Sequence, residues 1–166
     1  LDLTGGDPLV YASAYAESRA LEGYLESFPA ASPTLFQTSI HPSAVQQVLI
    51  GRQQSVAQFF PLTGRAHLVG HAVQTALLAG APRVVLCGGE ERGGTLRDWG
   101  VASDRSFAFA LALATAPAGA LGRLALAPAD GPVAPLTLPE FFDALHARRP
   151  VDAFAAPGLK LTLTWS

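Results

Sequence analysis

The chain has 166 residues, 49% hydrophobic and only 14% charged, with 11 Lys and Arg against 13 Asp and Glu for a formal net charge of −2. That length suits one domain with a sizeable core and is short for two. The basic residues, all arginine except Lys160, form no stripe or aromatic-interleaved patch, which argues against a nucleic-acid partner, and the lone cysteine, Cys87, excludes an internal disulfide framework and suits a reducing compartment.

The longest apolar run, 107–122, is interrupted by Pro117 and by glycines, and falls short of the roughly 18 residues a membrane helix needs. No basic-then-apolar leader opens the chain. It begins at Leu1 rather than Met, so the expectation is a soluble cytoplasmic protein whose first residues are missing. A surface this poor in charge also suggests cover by another protein, although alanine inflates the apolar count.

The apolar segment 8–14, "PLVYASA", follows the turn signal "GGDP" and reads as a strand. Across 16–28, Leu21, Tyr24, Leu25 and Phe28 recur at helical spacing with glutamates between them, and Pro29 and Pro33 mark the break. A second helix is expected over 43–54, with Ala44, Val45, Val48 and Leu49 on one face and His41-Pro42-Ser43 as its entry. "SVAQFF" (55–60) is strand-like, and a helix over about 64–79 stops at Gly80-Ala81-Pro82 before a buried strand, 83–87, closed by Gly88-Gly89. In 106–115, Phe107, Phe109, Leu111 and Leu113 alternate with alanines; the segment 122–127 is expected to pair with it as a hairpin across a turn at 117–122. A short amphipathic helix over 138–149 precedes "LKLTLTW" (159–165), whose strict alternation puts Leu159, Leu161, Leu163 and Trp165 inward and suggests a half-exposed edge strand. The alternation of strands and helices predicts a layered α/β domain spanning 1–166.

The central stretch concentrates the candidate chemistry. The helix over 64–79 is apolar nearly all round and is therefore expected to be buried, with one polar stripe through Thr63, His67, His71 and Gln74 or Thr75. H-x-x-x-H spacing would let His67 and His71 share a metal, but position 68 is Leu rather than the glutamate of the zinc-protease motif, and no third ligand accompanies them. Hydrogen bonding within an interface or to a strand carbonyl is the preferred reading. Cys87, at the end of an apolar strand and beside Glu90 and Glu91, is expected to be a small buried hydrophobe with a raised pKa rather than a nucleophile. "CGGEERGG" lacks the spacing of either phosphate-binding glycine loop, and its glutamates would repel phosphate.

The order strand, buried helix, "AG", "RVVLCGGEE", together with "TSIHPSAVQQVLIGRQQSVAQF" ahead of it, resembles the central segment of β-ketoacyl synthases of the thiolase-like superfamily. The likeness runs over residues 8 to about 115 and is strongest to shortened members described as β-ketoacyl synthase N-terminal-like or chain-length-factor-like. It implies a thiolase-like layered α/β/α fold with a mixed central sheet, about one half of a ketosynthase. Counting back from Gly88-Gly89 by the family's spacing puts the nucleophile position at Thr63, give or take one residue. Threonine is far harder to ionise than a thiol, Cys87 matches a non-catalytic position, and His67 and His71 do not match the family's catalytic histidines, which come from a C-terminal half. The resemblance thus implies a catalytically silent subunit, without cofactor or metal, that pairs with an active ketosynthase (or with itself) in fatty acid, polyketide or aryl polyene biosynthesis. Acyl carrier protein would be an indirect partner, and the dimer contact would fall on 83–87 or on 55–60. Phe59, Phe60, Pro61, Leu62 and Thr63 would then line an acyl tunnel or an interface, unless they are simply core. The alternative from another class is an independent acyltransferase or thioesterase using Thr63 or Cys87 with a histidine, His67 or His71.

Overall fold

A computed structural model describes residues 2–91, 93–101, 105–115, 118–131, 134 and 136–166. In chain order the elements are β1 (Pro8–Ser13), α1 (Ser18–Glu26), α2 (Pro33–Ser39), α3 (Ser43–Gly51), β2 (Gln58–Thr63), α4 (Leu68–Leu78), β3 (Arg83–Glu90), α5 (Thr95–Asp98), β4 (Phe107–Ala114), β5 (Gly122–Pro128), α6 (Leu138–His146), β6 (Val151–Ala156) and β7 (Leu159–Trp165). They build two sheets, β2-β1-β3-β4 and β5-β7-β6. The first is mixed: β1 runs parallel to β2 and β3, and β4 is antiparallel to β3. The expected layered α/β domain with a mixed sheet is thus present, with a second sheet added to it.

Helix α4 lies between the sheets, in contact with β1, β2 and β3 on one side and β6 on the other. Its Leu68, Val69, Ala72, Val73 and Ala76 are buried with Val10, Ala12, Val84 and Leu86 of the first sheet and Leu161 and Leu163 of the second. Gly70 marks the closest approach, because a Cβ there would fall 2.2 Å from the carbonyl oxygen of Ala155 in β6. Helix α6 joins the same layer: Phe141 packs edge-on to Phe109, and Phe142 stacks on Phe107. Its start is fixed by a reciprocal cap in which Thr137 Oγ1 accepts from Glu140 N–H while the Glu140 carboxylate accepts from Thr137 N–H.

Several expectations are corrected. The expected break is present, since α1 ends at Glu26 before Pro29, but a further helix, α2, follows it unexpectedly: Pro33 opens it, where a first-turn proline costs no hydrogen bond, and Ser32 caps Leu35 N–H at 3.3 Å. Strand β2 lies three residues later than 55–60 and carries Pro61, which an edge strand tolerates because one of its sides needs no ladder donor. Helix α4 begins at Leu68, not 64; Thr63 therefore belongs to the strand, and His67 sits at the helix entry with φ 58°, so the polar stripe of the predicted helix does not form as one face.

Gly88 and Gly89 do not close β3 but continue it to Glu90. A Cβ at Gly88 would meet Ala12 O at 2.6 Å, and one at Gly89 would meet Phe107 O at 2.5 Å, so glycine here admits neighbouring strands rather than making a turn. The predicted hairpin of 106–115 with 122–127 is absent: β5 pairs with β7 in the other sheet. Pro117 of its predicted turn lies outside the described residues. Strand β7 is central rather than an edge, since β6, which its Ala-rich sequence concealed, covers its other side across the turn at Gly158 (φ 74°).

Candidate functional site

Helices α1, α2 and α3 stand over the face of the first sheet opposite α4, and between them and the strands runs a cleft of about 600 Å³. Tyr11, Glu17, Ala44, Gly88, Glu90 and Phe107 are among its lining residues. Alternation along β2 divides the five candidate residues: Phe60 and Leu62, in register with buried Val10 and Ala12, pack on the α4 core, whereas Phe59, Pro61 and Thr63 belong to the other face.

Thr63 ends β2 exposed to solvent, and its hydroxyl is 3.0 Å from Nε2 of His41. The other ring nitrogen, Nδ1, is 2.8 Å from Oε2 of Glu17. A carboxylate can only accept, so Nδ1 carries a proton, and in the neutral imidazole Nε2 is then the acceptor for the Thr63 hydroxyl. Glu17 is held in turn by the Ala44 N–H, which donates to Oε1 at 3.2 Å. The His41 ring stacks on Tyr11 with centroids 5.4 Å apart and planes inclined by 24°. The side chains of His41 and Glu17 are only 22% and 6% exposed. Hydroxyl, imidazole and carboxylate thus form one continuous relay from three elements. Burial raises the Tyr11 phenol to about 12, with the Glu17 charge adding to the effect, so Tyr11 serves as a neutral platform.

His41 was read from the sequence only as part of a helix entry. No motif spacing could have found it, because His41 and Thr63 approach each other only when the link between α2 and α3 packs against the end of β2. The histidines singled out, His67 and His71, are not part of the relay. His71 is exposed on α4, and His67 Nδ1 is buried with no hydrogen-bond partner among the described residues, so the expected bond to a strand carbonyl is not made at that atom. Among the described residues no group of three His, Cys, Asp or Glu side chains is arranged to hold a metal ion.

Cys87 sits in β3 beside Tyr11, and burial pushes its thiol up to about 11. The direction is the expected one, but desolvation causes it rather than Glu90 or Glu91. Glu90, at the end of the same strand, is 8% exposed. Its carboxylate accepts from Ala14 N–H and from Ser13 Oγ at 3.4 Å, and burial nonetheless raises its pKa above the ordinary range.

Of the two segments expected to carry a dimer contact, β3 is flanked by β1 and β4 and has no free edge, whereas β2 is bonded along one side only. No helix among the described residues is long and apolar enough to cross a membrane.

No family model and no curated protein matches the sequence. Among solved structures, the chain is similar to one from the complex of a ketosynthase (ApeO) with its chain length factor (ApeC) from Xenorhabdus doucetiae. The TM-score is 0.70 at 20% identity, over 96% of this chain and 69% of that one. The fold is therefore that of ketosynthase and chain-length-factor subunits, matching the layered half-ketosynthase architecture expected from the sequence.

Proposed function

We propose that this chain is a ketosynthase-like partner subunit, silent in condensation, which docks on an active ketosynthase and helps to shape the tunnel for its growing acyl chain. The single observation that carries the reading is the open edge of β2 in a ketosynthase-type sheet. Unpaired strand edges are templates for strand addition by another chain. The α1–α3 layer adds exposed apolar side chains, among them Leu25 at 57%, Phe36 at 48% and Ile50 at 70% exposure, which favours cover by a partner. Chemistry supports silence in condensation: a ketosynthase tethers its acyl chain on a thiol, Thr63 offers none, and burial pushes the Cys87 thiol up to about 11.

In this reading Phe59, Pro61 and Thr63 contribute to the acyl passage or its interface, and Phe60 and Leu62 support them from the core. The working compartment is the cytoplasm, the pathway one that builds fatty acyl, polyketide or aryl polyene chains, and acyl carrier protein reaches the chain through the ketosynthase. Co-expression with a full-length ketosynthase tests the reading. A stable complex that protects β2 amides from hydrogen exchange is expected; a ketosynthase that never co-purifies with the chain would overturn it.

A further inference from the structure

We propose that Thr63, His41 and Glu17 form a working nucleophilic relay that takes an uncharged acyl group from an ester or thioester onto the Thr63 hydroxyl and releases it to water. This activity goes beyond the partner-subunit reading and stands independently of it, on geometry.

The two contacts of 3.0 and 2.8 Å fall within the reach that a nucleophile, its base and the group orienting that base require. The contacts join residues 22 and 24 positions apart, so they are a product of the fold and not of a local turn. Each member has the exposure its role needs. Thr63 is open to an incoming carbonyl, His41 is largely covered, and Glu17 is 6% exposed and pinned by a backbone N–H. Locking of the imidazole between a carboxylate and the Tyr11 ring fixes its tautomer and aim. The relay borders a cleft through Glu17 and its platform Tyr11; alanine, glycine and Phe107 alternate there with hydroxyl, amide and carboxyl side chains, Glu90 and Glu91 among them. A wall of this kind favours a neutral acyl group over an anionic one.

In the forward step Thr63 Oγ1 bonds to the acyl carbon while its proton passes to His41 Nε2. The tetrahedral intermediate collapses by breaking the bond to the leaving alkoxide or thiolate, which takes the proton from His41. A water then attacks the Thr63 ester, His41 again accepting and returning the proton, and the free acid leaves. Glu17 does not touch the substrate; it is a positioning residue that stabilises the imidazolium.

The test uses the purified full chain with p-nitrophenyl acetate as the ester and an acetyl-N-acetylcysteamine thioester, followed by intact mass and peptide mapping. An acetyl adduct on Thr63 is expected with one or both probes, and the probe that loads it assigns the leaving group. Thr63→Val and His41→Ala should lower turnover by about 100-fold or more, while Thr63→Ser retains it. Glu17→Gln should lower kcat about 10-fold or more with KM and melting temperature near the parent's, because a neutral amide no longer fixes the imidazole tautomer; a purely structural role would move the melting temperature and leave kcat of the folded variant unchanged. Turnover unchanged in folded Thr63→Val, or an adduct confined to other side chains, would overturn the proposal. Neither result bears on co-purification with a ketosynthase, so the two readings fail separately.

Discussion

Nε2 of His41 lies 3.0 Å from the Thr63 hydroxyl although the two residues belong to different layers, one in the link between α2 and α3 and the other at the end of β2. Two contacts that a sequence does not display put them there: the stack of His41 on Tyr11 and the bond from its other nitrogen to Glu17. A hydroxyl at the end of an edge strand is thereby brought within reach of an imidazole whose other nitrogen is held by a carboxylate.

Gly70→Ala should destabilise the protein by about 1–3 kcal/mol, because the added methyl meets the Ala155 carbonyl, a backbone atom that cannot rotate away. Alanine gains nearly 1 kcal/mol over glycine in helix propensity, so a net loss in thermal melting would show that the α4–β6 contact dominates. A melting temperature equal to or above the parent's would contradict this packing.

Arg83 reaches Asp7 through two hydrogen bonds, from Nε at 2.9 Å and from Nη2, and Thr4 donates to the same carboxylate from its N–H at 2.7 Å. The guanidinium holds the Asp7 carboxyl well below the usual carboxylate range. A depressed folded pKa means stability that is present above the unfolded value and lost as the pH falls. Asp7→Asn should therefore cost about 1.5–3 kcal/mol near neutrality, and denaturation series should show the gap to the parent closing below about pH 4.

Glu90 has the opposite sign. Burial raises its pKa, so the fold favours the protonated carboxyl; the contribution is present below the ordinary value and declines as the pH climbs through the raised one. Glu90→Gln keeps an acceptor for Ala14 N–H and removes the charge. Denaturant midpoints measured from pH 4 to 8 should fall less steeply for this variant than for the parent.

Cys87 should label with iodoacetamide at pH 7.5 roughly 100-fold more slowly in the folded protein than after denaturation, as a thiol pushed up to about 11 carries little thiolate. Cys87→Ser should leave any ester turnover intact. A rapid folded-state reaction would place the sulfur in a different environment from the one described.

Sequence periodicity was sufficient for β1, α1, α3, α6 and the buried faces of β4 and β7, because alternation and helical spacing are local consequences of which side chains must leave water. The resemblance carried by "RVVLCGGEE" gave the half-ketosynthase architecture before any coordinates. Boundaries failed where one residue type serves two purposes. Pro33 opens a helix that periodicity did not reveal, and Gly88 and Gly89 admit a neighbour instead of closing a strand.

The amino-acid order by itself therefore determined the class of fold and the burial of α4, each a property of segments read one at a time. Only the tertiary structure decided that β7 is central, that β2 is an edge strand, and that His41 rather than His67 or His71 meets Thr63. Strand order and a three-residue relay depend on contacts between distant segments. Those contacts arise when layers pack face to face, and no local spacing encodes them.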